Sequence, residues 1–100
     1  MNINYLEANF FKVLSHPIRI EILNILKNRG RYVCDITKLI KETQPQISRN
    51  LTVLKQAGLV VYEKKGTRVC YKVKDNNIFK LLDIAKSILR RQYEEVSSLL

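Results

Sequence analysis

The spacing of apolar residues between Asp35 and Val60 constrains the fold of this chain more than any other feature. Two apolar faces with helical spacing flank a polar break at residues 41–44, which Pro45 follows. Proline suits the first turn of a helix, and Gly58 is placed to end the second helix. The two faces consist of Ile36, Leu39 and Ile40, and of Ile47, Leu51 and Leu54. Two short helices joined this tightly predict a helix-turn-helix, whose second helix enters the DNA major groove.

Helix geometry predicts which side chains of the second helix would face DNA. Its apolar positions must be buried, which leaves a polar face without an acidic residue. Arginine can pair with guanine and glutamine or asparagine with adenine, while serine suits a phosphate or a base edge. The alternative is an ordinary solvated helix surface. The predicted base-reading residues are Gln46, Ser48, Arg49 and, at the edge of the buried face, Asn50.

A length of 100 residues predicts a single domain, 1–100, with a modest core that a second subunit would enlarge. No window approaches 18 consecutive apolar residues, so we expect no membrane span and no membrane partner. The first ten residues lack a basic segment followed by an apolar run, which argues against a signal peptide. We therefore expect a cytoplasmic protein.

The basic charge is concentrated around the predicted helix-turn-helix. The formal net charge is +9, and nine basic and two acidic residues between Lys38 and Lys74 supply +7 of it. This is typical of a protein that binds the phosphate backbone, with an affinity that falls steeply with salt. A basic patch alone would equally suit RNA or an acidic membrane.

Two helices are predicted before this segment. The first spans residues 4–14, and the second runs from Pro17 to about Arg29, with Ser15 as its N-cap and Gly30 closing it. The first helix has an apolar face that consists of Leu6, Phe10, Val13 and Leu14. The residues of the second helix predicted to face inward are Ile18, Ile22, Leu23 and Leu26.

From Leu59 to Val73 the apolar period changes to two, with Gly66 between the two runs. This pattern predicts a β-hairpin with a basic tip, and a hairpin directly after a recognition helix is a wing. The alternative is a solvated hairpin kept polar to avoid edge pairing. The residues predicted to contact the DNA backbone, from the helix-turn-helix and the wing, are Lys38, Lys41, Thr43, Lys55, Lys64, Lys65, Thr67 and Arg68.

A last helix is predicted from residues 76–78 to about Ser98, with an apolar stripe too long for so small a domain to bury. The stripe consists of Ile78, Leu81, Leu82, Ala85, Ile88, Leu89, Val96 and Leu99. We expect segments 1–14 and 76–100 to form a homodimer; the alternative is packing within one domain. The expected interface residues are Leu6, Phe10, Leu81, Leu82, Ala85, Ile88 and Leu89. A twofold dimer favours a palindromic operator in double-stranded DNA.

Four segments resemble the ArsR/SmtB winged-helix repressors: LSHPIRIEIL (14–23), VCDI (33–36), QPQISRNLTVLKQAGLV (44–60) and GTRVCYKV (66–73). They cover nearly the whole chain in the right order. The resemblance implies a homodimeric repressor that leaves its operator when an effector binds. The fold it implies is mainly α with a small β-hairpin, a winged helix-turn-helix of four helices, two strands and a fifth helix. Members sense metals, metalloids, sulfur species or redox state.

The chain departs from the family's metal-sensing patterns. The metalloid sensors of this family carry C-V-C-D-L, whereas residues 32–36 here read Y-V-C-D-I. The single remaining thiolate cannot make the three-sulfur site that metalloids prefer. Of the positions that match the family's zinc ligands in the last helix, only Asp75 suits a metal; the others are Asn77, Ile88 and Arg91. We expect no metal site of these kinds and no cofactor.

Cys34 and Cys70 are the candidate effector residues. Two cysteines in a cytoplasmic protein are usually reduced thiols. Cys34 would lie near a helix N-terminus, where the dipole favours a reactive thiolate, although the adjacent Asp35 opposes this. Pairing of the two thiols within a subunit and action of each across the dimer both stay open, and the alternative is two small, inert cysteines. His16, the only histidine, is interpreted as a polar residue of a capping loop and not as a ligand.

These features favour a DNA-binding transcription regulator, most simply a repressor. Three kinds of regulator stay open: a thiol or reactive-sulfur sensor, a metal or metalloid sensor with a non-standard site, and a regulator without an inducer. A second class is a winged-helix protein-interaction module, which an apolar or acidic recognition face would have favoured. Catalysis is not expected, because the chain lacks a Ser/His/Asp set, a carboxylate pair and a glycine-rich phosphate loop.

Overall fold

A computed structural model describes residues 2–99, and the side chains through residue 97. Five helices surround a small antiparallel sheet. The elements in chain order are α1 (Ile3–Leu14), α2 (Pro17–Ile25), β1 (Arg31–Tyr32), α3 (Val33–Ile40), α4 (Gln44–Gln56), β2 (Val60–Lys65), β3 (Arg68–Val73) and α5 (Asn77–Leu99). The mainly α winged helix-turn-helix predicted from the sequence is confirmed, with one additional strand.

The core lies where α2, α3 and α4 meet the sheet. The predicted inner face of α4 is confirmed, because Ile47, Leu51 and Leu54 are fully buried. In α3, Ile36 is fully buried, but the prediction for Leu39 is wrong: its side chain is 53% exposed. The other apolar residues of α3, Val33 and Ile40, are partly buried and pack against the core.

The connection before the sheet differs from the prediction. Helix α2 ends at Ile25, and the chain reverses at Asn28, which has a φ of 77° in the left-handed region. Gly30 does not close the helix. A Cβ at Gly30 would lie 3.0 Å from Cys70 Sγ and 3.2 Å from the Tyr71 carbonyl oxygen. This glycine therefore allows β1 to approach β3 closely.

Ser15 ends α1 and does not cap α2. Its hydroxyl donates a hydrogen bond of 2.6 Å to the carbonyl oxygen of Lys12. The N-cap of α2 is His16, whose side chain makes no capping hydrogen bond, and Pro17 occupies the first turn as predicted. The prediction of Ser15 as the N-cap was wrong because the serine side chain turns back to the Lys12 carbonyl of the preceding helix, which also accepts from the Ser15 backbone N–H.

The sheet has the strand order β1-β3-β2. The predicted hairpin is confirmed: β2 and β3 pair from Val60 opposite Val73 to Lys65 opposite Arg68, and Gly66 turns with a φ of 66°. Strand β1 was not predicted. It adds Tyr32 opposite Cys70 and so joins the start of α3 directly to the wing.

Helix α5 packs on the domain only through its first turns. Ile78, Phe79 and Leu82 are buried in the core. The interface role expected for Leu82 is therefore wrong, because its own domain covers it. Beyond this point the apolar side chains are more than half exposed: Ile84, Ile88, Leu89, Tyr93 and Val96. The side chain of Leu99 lies outside the described residues, and within the described part of the chain no helix is long and apolar enough to cross a membrane.

Candidate nucleic-acid interface

The turn between α3 and α4 is short because two residues cap the helix ends. Lys41 adopts the left-handed conformation with a φ of 60°, and its backbone N–H donates to the carbonyl oxygen of Thr37. Thr43 is the N-cap of α4, where its Oγ1 accepts a hydrogen bond of 3.4 Å from the Gln46 backbone N–H. These caps expose the N-terminal turn of α4, which begins with Gln44 and Pro45.

Three of the four predicted base-reading residues come together on the outer face of α4. Arg49 is exposed, and Gln46 and Ser48 are partly buried on either side. The Arg49 Nη1 donates to Gln46 Oε1 at 3.5 Å, a long contact that leaves the guanidinium free to reorient. Arginine and glutamine on one exposed helix face can offer donors and acceptors to base edges.

Asn50 does not belong to this face, so the prediction that it reads bases is wrong. It is only 4% exposed, and both ends of its amide are used inside the protein. Its Oδ1 accepts a hydrogen bond of 3.0 Å from Arg19 Nε, and its Nδ2 donates to the Gln46 carbonyl oxygen at 2.9 Å. Sequence reasoning missed Arg19, although it lies in the segment LSHPIRIEIL (14–23) that carries the family resemblance.

The wing extends from the domain next to α4, and its predicted backbone-contacting residues are exposed at its tip: Lys64, Lys65, Thr67 and Arg68. At its base, the rings of Tyr62 and Tyr71 lie 5.6 Å apart. Burial raises the pKa of the Tyr71 phenol, and the neighbouring Tyr62 adds to the effect. Lys55 Nζ lies 5.0 Å from the centre of the Tyr62 ring, so this lysine links α4 to the wing.

Arg68 differs from the other wing cations because it has partners within the protein. Its guanidinium carbon lies 3.6 Å from the centre of the Tyr32 ring. Its Nη2 lies 3.7 Å from Asp35 Oδ2 and 3.7 Å from Cys34 Sγ. The hydrogen bond to Cys34 is the main cause that raises the pKa of Arg68, with smaller contributions from the charges around it. Because arginine is charged at any relevant pH, these contacts affect its position and not its charge.

Cys34 and Cys70 are both free thiols. Cys34 is exposed in the first turn of α3, as predicted from its place in the sequence. It borders a cleft of about 350 Å³ that Ser48 of α4 and Thr67 of the wing also line. Cys70 is partly buried on β3 against Gly30. Among the residues the structure describes, no group of three or more His, Cys, Asp or Glu side chains is arranged to hold a metal ion.

A helix-turn-helix packed on the core, an exposed polar face on its second helix α4 and a basic wing define a winged-helix DNA-binding protein. The model of the bacterial regulatory proteins of the arsR family matches residues 16–62. The uncharacterized HTH-type transcriptional regulator Rv0081 of Mycobacterium tuberculosis is 36% identical over 87 residues, which cover 86% of this chain and 76% of that protein. Its crystal structure superposes with a TM-score of 0.85 at 32% identity, over 95% of this chain and 96% of that chain.

The arsenical resistance operon repressor of Bacillus subtilis is 38% identical over 73 residues, covering 72% of this chain and 70% of that protein. A homodimeric winged helix-turn-helix DNA-binding domain of Mycobacterium bovis superposes with a TM-score of 0.77 at 26% identity, covering 88% of this chain and 82% of that chain. This chain belongs to the ArsR family of DNA-binding transcription regulators. The family resemblance predicted from the sequence is confirmed, and so is the prediction that the protein is a regulator and not an enzyme.

Proposed function

We propose that this protein is a homodimeric repressor that reads a palindromic operator through Gln46, Ser48 and Arg49 of α4. The observation that carries the proposal is the division of α4 into two faces. The apolar residues of its inner face are fully buried, while the outer face presents an exposed arginine that contacts a glutamine, with a serine beside it. Because these side chains have no structural task in the core, their natural partners are the base edges of the major groove.

The phosphate backbone is contacted by the cations around that face. Lys38 and Lys41 flank the turn before α4, and Lys64, Lys65 and Thr67 lie at the tip of the wing, all of them exposed. Two further residues predicted for this role also have structural tasks, since Thr43 caps α4 and Lys55 lies over the Tyr62 ring. Their contribution to binding is therefore partly indirect.

The dimer forms through α1 and the distal part of α5. Both helices carry apolar side chains that the domain leaves uncovered: Ile3, Leu6 and Phe11 on α1, and Ile84, Ile88, Leu89 and Val96 on α5. The M. bovis domain with the same fold is a homodimer. Of the other expected interface residues, Phe10 and Leu81 are partly buried and Ala85 is exposed. A twofold dimer would separate two α4 helices by about 34 Å, one turn of DNA.

The effector acts on the thiol of Cys34, with Cys70 as a secondary candidate. Cys34 is exposed and borders the cleft between α4 and the wing. A persulfide or disulfide reagent that modifies this thiol would add a group between the two DNA-contacting elements and so lower operator affinity. A metal or metalloid sensor is the alternative, and the presence of an arsenical resistance operon repressor among the relatives is what favours testing it.

The test is fluorescence anisotropy with a labelled duplex from the promoter of the protein's own gene. Reduced wild-type protein should bind this duplex more tightly than an unrelated duplex, and Arg49→Ala should remove most of that difference. Wild-type protein that binds both duplexes equally would refute operator recognition. Treatment with an organic persulfide or glutathione disulfide should release wild type but not Cys34→Ser. Release by zinc or arsenite instead would replace the thiol switch with a metal or metalloid sensor.

A further inference from the structure

Arg68 links the wing to the helix-turn-helix, and its contacts point to a role other than a simple phosphate contact. We propose that Arg68 is a positioning residue that ties the tip of the wing to the first turn of α3. The tie holds the wing and α4 at the angle at which both reach the same DNA duplex. The effect on affinity rests on the proposed DNA-binding function, whereas the tie itself is a property of the free protein.

The other contacts that restrain the wing from outside the hairpin lie nearer its base, where Lys55 of α4 lies over the Tyr62 ring and Val69 packs against the core. At the base of the hairpin, Val60 and Tyr71 are buried in the core. Towards the tip, residues 62–68 are all exposed, and the two strands pair only with each other beyond the reach of β1. A two-stranded ribbon without a packed face is marginally stable on its own. Contacts of Arg68 with the start of α3 are therefore the structural restraint closest to the turn.

The three contacts of Arg68 differ in chemistry and together define its orientation. The guanidinium stacks on the Tyr32 ring at 3.6 Å, while its edge reaches Asp35 Oδ2 and Cys34 Sγ, each at 3.7 Å. All three partners are consecutive or nearly consecutive residues at the β1–α3 junction. A planar guanidinium can stack and donate at the same time, which the ammonium group of lysine cannot do. Charge alone would therefore not replace Arg68.

Removing the charge of Asp35 distinguishes a phosphate-contacting Arg68 from an Arg68 that positions the wing. If Arg68 only contacted phosphate, Asp35 would weaken DNA binding by competing for the guanidinium and repelling the backbone. Asp35→Asn would then raise the net charge by one from +9 and tighten binding. If Arg68 positions the wing, Asp35→Asn loosens the tie and weakens binding. The same substitution thus has opposite expected signs.

The experiment measures two quantities on Arg68→Lys, Asp35→Asn, Tyr32→Leu and the matched control Tyr32→Phe, which keeps the aromatic face. The first is amide hydrogen exchange of residues 62–70 in the free protein. The second is the Kd for the promoter duplex by anisotropy, with thermal unfolding as a check that each variant is folded. The first three variants should exchange faster in the wing and bind about 2- to 5-fold more weakly, the factor of an exposed cation–π contact. Tyr32→Phe should match wild type.

Two results would overturn the proposal. One is a rate of amide hydrogen exchange in the wing of Arg68→Lys and Tyr32→Leu that equals the wild-type rate, which would show that the contacts restrain nothing. The other is tighter binding by Asp35→Asn, which would make Arg68 a phosphate contact. A wild-type protein that binds no DNA, with faster wing exchange in the three variants, would support the tie and refute the proposed DNA-binding function. Lys65→Ala, which removes a neighbouring wing charge, should weaken binding without changing wing exchange.

Discussion

Asn50 of α4 accepts a hydrogen bond from Arg19 of α2 at 3.0 Å, on the buried side of α4. The same guanidinium donates through Nη1 to the carbonyl oxygen of Val13 at 3.1 Å. One arginine therefore joins the last turn of α1, the start of α2 and the middle of α4. Asn50 therefore fixes the position of α4 against α2, and we propose that this is its contribution to DNA recognition.

Asn50→Ala should lower the free energy of unfolding by about 1–3 kcal/mol, because it leaves the Arg19 donor without its partner. Urea denaturation followed by circular dichroism measures this change. Thr52→Ala is the control, since Thr52 is exposed on the same helix and its loss should change stability little. A variant of unchanged stability that has lost its sequence preference would instead return Asn50 to the base-reading set.

Gly30→Ala should destabilise the sheet by about 1–3 kcal/mol, the usual cost of overpacking a closely packed site. The new Cβ would lie 3.0 Å from Cys70 Sγ and 3.2 Å from the Tyr71 carbonyl oxygen, so β1 must move away from β3. Thermal unfolding measures the loss. When Cys70 is replaced by alanine, adding Gly30→Ala should cost less stability than it does in wild type. Some cost should remain, because the Tyr71 carbonyl oxygen is still close to the new Cβ. Full recovery would mean that the thiol is the only obstacle.

The recognition helix and the wing could be predicted because their signals are local. Pro45 and Gly58 bracket a helix whose apolar residues repeat every three to four positions, and Gly66 separates two runs of period two. Each of these patterns depends on neighbours within a few residues. The outer face of α4 followed directly, because burying one side of a helix exposes the other.

The errors arose where distant residues decide the outcome. Strand β1 has only two residues, too few for a periodic pattern, and it exists because β3 pairs with it. Asn50 lies at the edge of a helical face, and a partner 31 residues away determines that it points inward. The tie at Arg68 likewise depends on residues 32–35, more than thirty positions earlier. Sequence spacing carries no information on such contacts.

Lys65→Ala should weaken binding to all duplexes alike, because Lys65 is an exposed wing cation that we propose contacts phosphate and not a base. The slope of log Kd against log salt should become shallower by about 0.9 for each subunit, the amount expected for the loss of one phosphate contact. Arg49→Ala should differ by losing preference for the promoter duplex over an unrelated one. Anisotropy titrations at several salt concentrations separate the two effects. Identical behaviour of the two variants would contradict the division between base and backbone contacts.

Ile88→Glu should shift the protein from dimer to monomer while leaving each domain folded. Ile88 lies on α5 beyond the part that packs on the domain, and its side chain is more than half exposed. A carboxylate there would have to lose its hydration in an apolar interface. Sedimentation equilibrium measures the mass, and Ser87→Glu, on the polar side of the same helix, is the control. If Ile88→Glu remains dimeric, the interface must use another surface.

Stability should fall at alkaline pH partly because of Tyr71. Burial raises the pKa of this phenol, whose side chain is only 8% exposed. As the pH rises above about 10, the tyrosine of the unfolded chain loses its proton before that of the folded protein, which favours unfolding. Tyr71 therefore stabilises the fold fully below that pH, and its contribution is lost as the pH rises through the folded pKa.

Tyr71→Phe cannot ionise and should lose less stability between pH 9 and about 11, measured by urea denaturation. Tyr93→Phe, at an exposed position, should follow wild type. Equal alkaline losses in wild type and Tyr71→Phe would show that the raised pKa of Tyr71 does not govern the decline.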